Sequence, residues 1–181
     1  MNPSAGLPEI ALPAGTRVIA DLHLDPRQPL PWRAFEDWLA TLAGVPALLV
    51  LGDLFEYWIG PGQGRDPAYA GLLQALRARA RAGSAARSLR GNRDFLLGPD
   101  FARAVEGSVH PGGLVGQTAS GQRVLFLHGD ELATRDRSSQ RLRRVLRSRA
   151  VGALAHAAPS GLAAAAARAL RGKSERAVAA K

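Results

Sequence analysis

The stretch Ala47-Leu48-Leu49-Val50-Leu51-Gly52-Asp53 decides the fold. Five successive apolar residues without polar alternation describe a strand covered on both faces. The run stops at Gly52-Asp53, where a flexible residue and a carboxylate replace the aliphatic side chains. Outward from it the same arrangement recurs. Arg17-Val18-Ile19-Ala20 gives way to Asp21-Leu22-His23, Ala85 to Leu89 leads into Gly91-Asn92-Arg93-Asp94, and Arg123 to Leu127 delivers His128-Gly129-Asp130. This last run reads as the second strand of a hairpin with Leu114 to Thr118, across Ala119-Ser120-Gly121-Gln122.

Helical patterns separate the first strands. Pro31 to Ala43 places Trp32, Phe35, Trp38, Leu39 and Leu42 at spacings of three and four, with Pro31 suited to a first turn and Gly44 and Pro46 beyond the end. Gly60 to Pro67 reads as a loop, and Tyr69 to Ala82 as a helix with Leu72, Leu73 and Leu76 inward and Arg77, Arg79 and Arg81 toward water. Strand–helix–strand alternation predicts an α/β layered core whose site lies beyond the carboxyl ends of its strands. After Glu131 the pattern is helical. Arg137 to Val151 carries Leu142, Val145 and Leu146 among Arg residues, and Gly161 to Leu170 is nearly all Ala and Leu, with Pro159 between them. The chain thus divides into a flexible segment 1–16, an α/β core 17–131 and a helical appendage 132–181.

The chain has 181 residues, enough for one substantial core. It has no cysteine, which excludes a disulfide framework and thiolate metal sites and favours a cytoplasmic protein. Met1 to Gly15 is rich in Pro, Ala and Gly, and no run approaches the ~20 apolar residues of a membrane span. The net charge of +9 is uneven: residues 1–60 hold three Arg against seven acids, while 131–181 hold twelve Arg and Lys against three. A basic final third suggests an anionic partner: a phosphorylated substrate, an acidic membrane surface or nucleic acid. That segment contains no Phe, Tyr or Trp, so it lacks the stacking platforms of a single-strand binder, and nucleic acid is not expected.

The strand-end clusters carry the chemistry. Hydrolysing a phosphate ester or anhydride needs an activated water and neutralisation of the phosphoryl oxygens, which two divalent ions ~3.5–4 Å apart supply. Carboxylate, amide oxygen and imidazole suit Mn²⁺, Fe²⁺ or Zn²⁺. Asp21 and His23, alternate residues of an extended strand, would point the same way toward one metal. Asp53, after flexible Gly52, would approach closely enough to bridge two ions. Asn92 offers a neutral oxygen and His128 an imidazole. Each cluster also reads alone as an ordinary turn, Gly91 to Asp94 as an Asx-turn with a surface ion pair. Four of them ending four strands is what points to a metal site.

The order Asp-x-His, Gly-Asp, Gly-Asn-x-Asp, His-Gly-Asp is similar to that of the calcineurin-like metallophosphoesterases. More narrowly, Ile19 to Leu24, Leu51 to Gly60, Gly91 to Gly98 and Leu127 to Asp130 closely resemble the UDP-2,3-diacylglucosamine pyrophosphatase family of the lipid A pathway. Arg93 stands where most metallophosphoesterases carry histidine, and Phe55-Glu56-x-Trp58-Ile59-Gly60 is specific to the narrower family. The resemblance implies a layered metallophosphoesterase sandwich with a helical cap that binds acyl chains. It implies two Mn²⁺ ions, one held by Asp21, His23 and Asp53 and the other by Asp53, Asn92 and His128. It also implies substrate contacts from Asn92, Arg93, Asp136, Ser174 and Lys181; Val178 stands where the family pattern has Asn. The implied reaction is cleavage of the pyrophosphate of UDP-2,3-diacylglucosamine to UMP and the acylated sugar 1-phosphate, with peripheral contact at the cytoplasmic face of the anionic inner membrane. The family's Gly-His-x-His, downstream of its cap, does not occur within these 181 residues, and neither His110 nor His156 is expected to replace it. An incomplete sandwich, and a truncated, inactive or metal-poor relative, is therefore the alternative expectation. A basic nucleic-acid-binding module is the third.

Overall fold

In the computed structural model, which describes residues 6–129, the uninterrupted apolar run Ala47 to Leu51 supplies an inner strand of a parallel sheet. Its strands are β2 (Arg17–Ile19), β3 (Leu48–Val50), β4 (Ala86–Leu89) and β5 (Ser108–His110), and they lie in that order. The connections are α1 (Pro29–Thr41), α2 (Pro67–Arg81) and α3 (Pro99–Val105). Strand β1 (Glu9–Leu12) belongs to a second sheet, where it pairs parallel with β6 (Leu114–Thr118), which pairs antiparallel with β7 (Arg123–Phe126).

Strand alternation sorts the core into two clusters. Leu48 and Val50 of β3 and Ala86 of β4 join the helix side, with Phe35, Leu39, Leu72, Leu76 and Phe101. Leu49 and Leu89 point the other way and meet Leu114, with Ile10 and Phe126 against them. Helices, first sheet and second sheet are therefore successive layers, and β3 is buried on both faces as its composition predicts. Sequential parallel strands with right-handed crossovers place all three helices on one face, leaving the other for the second sheet.

Two expectations are corrected and one unassigned stretch is filled in. Residues 9–12, assigned to a flexible segment, form β1, which aligns Glu9 with Val115 and Leu12 with Thr118. Residues 99–110 contain α3 and β5, too short to show periodicity; Phe101 and Val105, one turn apart, bury α3's inner face. Arg79 does not turn to water: it donates to the Leu42 carbonyl (2.9 Å) and the Ser84 hydroxyl (2.8 Å), and its desolvation lowers its pKa. Helix α2 begins at Pro67 because Asp66 caps it, its carboxylate accepting from the Ala68 amide at 3.0 Å. Residues 132–181, the expected helical cap, lie outside the described residues, as do Asp130, Asp136, His156, Ser174, Val178 and Lys181.

Candidate functional site

Beyond the carboxyl ends of β2 and β3 the chain stays paired. The amides of Asp21, His23 and Leu24 donate to the carbonyls of Gly52 (3.2 Å), Asp53 (3.0 Å) and Leu54 (2.9 Å). This pairing is not extended strand. Asp21, His23 and Asp53 have φ of 56°, 50° and 51°, in the left-handed region that L-residues rarely occupy. The expected alternation of an extended strand is thus not what gathers Asp21 and His23; two loops in the same unusual backbone state do so. Ligand atoms of Asp21, His23 and Asp53 lie within 4.8 Å of one another.

His128 reaches the same place from the other sheet. Its Nδ1 lies 2.8 Å from the Leu51 carbonyl. A carbonyl only accepts, so Nδ1 donates to it, which leaves Nε2 as the nitrogen facing the site. That Nε2 is 3.7 Å from Asp53 Oδ2, and His23 Nε2 is 4.0 Å from the same oxygen. One carboxylate oxygen therefore sits between two imidazoles. The other, Oδ1, accepts from the Arg93 amide at 2.9 Å, which ties the Gly91–Asp94 loop to the centre. Asn92 is exposed on that loop. Arg93 extends its Nη1 to Glu56 Oε1, 2.5 Å away.

The glycines allow the approach. A Cβ on Gly52, at φ 97°, would lie 2.6 Å from His128 Nδ1 and 2.9 Å from Gly91 Cα; one on Gly91 would collide with the Asp53 carboxylate. Asp94 fixes the arrangement from beneath. Far from forming a surface ion pair, it is fully buried and accepts from the amides of Gly91 (2.8 Å), Leu54 (2.9 Å) and Asp53 (3.2 Å). Burial pushes its carboxyl up to about 6, with the charge of Asp53 adding to the rise and the three amides opposing it.

No protein-family model matches the chain. It is 39% identical over 142 residues to a protein of Ralstonia nicotianae named UDP-2,3-diacylglucosamine hydrolase, covering 78% of this chain and 53% of the relative. Proteins of the same name from Pseudomonas savastanoi pv. phaseolicola and Pseudomonas aeruginosa are each 42% identical over 131 residues, covering 72% of this chain and 52% and 54% of the relatives. Over that stretch the chain is a homologue of these hydrolases. It spans about half the length of the curated relatives it matches.

The stretch Phe55-Glu56-Tyr57-Trp58 has a physical explanation. Phe55 and Trp58 are buried against each other (centroids 4.9 Å apart) and against Tyr69 and Phe101. Between them Glu56 faces the site, 3.7 Å from His23 Nδ1. Gln63 pins the following loop, accepting from the Ile59 amide and donating to the Tyr57 carbonyl and the Tyr69 hydroxyl. Sequence reasoning assigned no role to Glu56, Gln63 or the buried Asp94. An acid flanked by aromatic residues was the available signal for Glu56, and the Gly91-Asn92-Arg93-Asp94 cluster for Asp94; nothing local marked Gln63. His110 ends β5, hydrogen-bonded to Ser108 (2.9 Å), and stands outside the metal-capable group; burial, then Arg87, lowers its pKa.

Proposed function

We propose that this chain hydrolyses the pyrophosphate bond of UDP-2,3-diacylglucosamine to UMP and 2,3-diacylglucosamine 1-phosphate, using two Mn²⁺ ions on a layered metallophosphoesterase sandwich. The observation that carries this reading is Asp53 Oδ2 standing between His23 Nε2 and His128 Nε2, on a chain homologous to hydrolases of that name. Donor atoms on one ion sit roughly 3 Å apart, so separations of 3.7–4.0 Å close to that value with small side-chain movements. Clustered carboxylates and imidazoles also match the oxygen and nitrogen donors that such cations take.

In this reading Asp21, His23 and Asp53 hold one ion, and Asp53, Asn92 and His128 the other. When bound, the ions supply an activated water and neutralise charge on the phosphoryl oxygens. The chain's own residues do the rest. Asp94 holds the Asp53 and Gly91 backbones in place, and Leu51 fixes the His128 tautomer. Arg93 and Asn92 meet the substrate's phosphate and sugar, joined by Asp136, Ser174 and Lys181 from a cap over 132–181 that takes the acyl chains. The lipid substrate brings the chain to the cytoplasmic face of the anionic inner membrane. Among the described residues no helix is long and apolar enough to cross a membrane.

The test is Mn²⁺-dependent release of UMP by the purified chain. Asp53→Ala removes the oxygen between the two histidines and is expected to abolish release; undiminished activity in that variant would overturn the reading. A metal-poor or inactive relative is the second reading, favoured by the compact metal-capable group being Asp21, His23 and Asp53, without His128. Two tightly bound ions per chain, measured by metal analysis, would exclude it.

A further inference from the structure

We propose that Glu56 is a positioning residue that couples the metal half of the site to the substrate half, one carboxylate oxygen orienting His23 and the other holding Arg93. The proposal rests on the metal-dependent hydrolase reading of the same site.

Glu56 Oε1 accepts from Arg93 Nη1 at 2.5 Å, while Oε2 lies 3.7 Å from His23 Nδ1. That Nδ1 is buried and has no hydrogen-bond partner among the described residues. An imidazole that offers Nε2 to a metal carries its proton on Nδ1, and metal-bound histidines almost always donate that proton to a carboxylate or carbonyl, which fixes the ring and raises its basicity. Oε2 is the carboxylate oxygen on that side, and a shift of a few tenths of an ångström brings it within hydrogen-bond range.

The position of Glu56 is held by burial and by its backbone. Its side chain is only 10% exposed, and its amide donates to the carbonyl of Leu24, the residue after His23, at 3.0 Å. Buried Phe55 precedes it, and the amide of buried Trp58, two residues on, donates to the Arg93 carbonyl at 3.3 Å. The segment carrying Glu56 is thus tied by backbone to both groups that its side chain serves. A guanidinium has five N–H donors. Nη1 on Glu56 leaves the rest of the fork for an anionic oxygen, with the long side chain already held and less entropy to lose on binding.

The experiment compares wild-type, Glu56→Gln, Glu56→Ala, Arg93→Ala and the Glu56→Ala/Arg93→Ala double variant. Mn²⁺ affinity is measured calorimetrically, UMP-release kinetics are recorded, and thermal unfolding after chelator treatment checks the fold. Glu56→Ala is expected to weaken Mn²⁺ binding about 10- to 100-fold, with the loss persisting when Arg93 is absent. Glu56→Gln, which keeps the shape and one acceptor, recovers part of it. KM rises in Glu56→Ala and in Arg93→Ala, and the double variant is no worse than Arg93→Ala alone, because Glu56 reaches the substrate only through Arg93. Wild-type Mn²⁺ affinity in Glu56→Ala, or KM effects that simply multiply, would overturn the proposal. Lost affinity with an equal loss of metal-free stability, unrecovered in Glu56→Gln, would make Glu56 merely structural and overturn it too. The metal titration needs no turnover. A wild-type chain that binds Mn²⁺ but releases no UMP therefore sinks the proposed substrate and leaves Glu56 to be judged on affinity. A wild-type chain that binds no Mn²⁺ overturns both.

Discussion

Among the described residues, four that are not glycine have positive φ, and Asp21, His23 and Asp53 are three of them. Aspartate and histidine tolerate that region better than most residues, yet each such position still costs on the order of 1–3 kcal/mol. The loops persist because they brace each other: the amides of Asp21 and His23 bond to the carbonyls of Gly52 and Asp53. Gly52 is where the bracing is tightest. Gly52→Ala places a methyl 2.6 Å from His128 Nδ1 and 2.9 Å from the Gly91 backbone, at a φ that alanine resists. The imidazole can move only by leaving the Leu51 carbonyl, and the Gly91 backbone cannot yield without disturbing Asp53. We expect Gly52→Ala to destabilise the fold by about 1–3 kcal/mol in urea unfolding and to weaken Mn²⁺ binding sharply. Wild-type affinity in a folded Gly52→Ala protein would show that His128 does not depend on this approach.

The element that organises the site is the loop after β4, and Asp94 is its anchor. Three backbone amides from two loops converge on its carboxylate, out of reach of water. Asp94→Ala strands all three, and each unsatisfied buried donor costs about 1–3 kcal/mol, so a loss of at least ~3 kcal/mol is expected by chemical denaturation. Asp94→Asn keeps one acceptor oxygen but turns an NH₂ toward the donors, so an intermediate loss is expected. If Asp94→Ala unfolds like wild-type, the three bonds are not what joins the loops. Elements of this kind explain what the sequence shows and hides. The apolar run Ala47 to Leu51 and the three-and-four spacing from Trp32 to Leu42 announce β3 and α1 because burial on both faces, or on one stripe, imposes a pattern within a few residues. Strand β1 has no such pattern: Glu9-Ile10-Ala11-Leu12 lies between Pro8 and Pro13, and its partner β6 is more than a hundred residues away. Likewise the metal-capable residue types were legible, but the left-handed backbone that gathers them is set by hydrogen bonds between loops.

At the scale of the whole molecule, the site spans two sheets that touch through few side chains. The triad Asp21, His23 and Asp53 stands on the first sheet alone, whereas His128 arrives from β7 of the second. A linear reading places all four clusters along one sheet edge; the separate sheet that carries His128 follows from packing of Leu49 and Leu89 against Leu114, which strand patterns do not encode. This division predicts that the two halves of the centre separate energetically. Leu114 is fully buried between the sheets and lies opposite Phe126 in the β6–β7 register. Leu114→Ala should cost about 2–5 kcal/mol, as a buried leucine usually does. The cavity should also loosen β7 against β3, so that the His128 Nδ1 bond to Leu51 weakens first. Leu76→Ala, an equally buried change on the helix side, should cost a similar amount while leaving the spacing between the sheets intact. Mn²⁺ titration then separates the two effects. If two ions bind as proposed, Leu114→Ala should lose the one assigned to His128 and retain the one assigned to Asp21 and His23, whereas Leu76→Ala should retain both. If the two variants lower both affinities equally, the centre responds to global stability, and the two-sheet division has no bearing on metal binding.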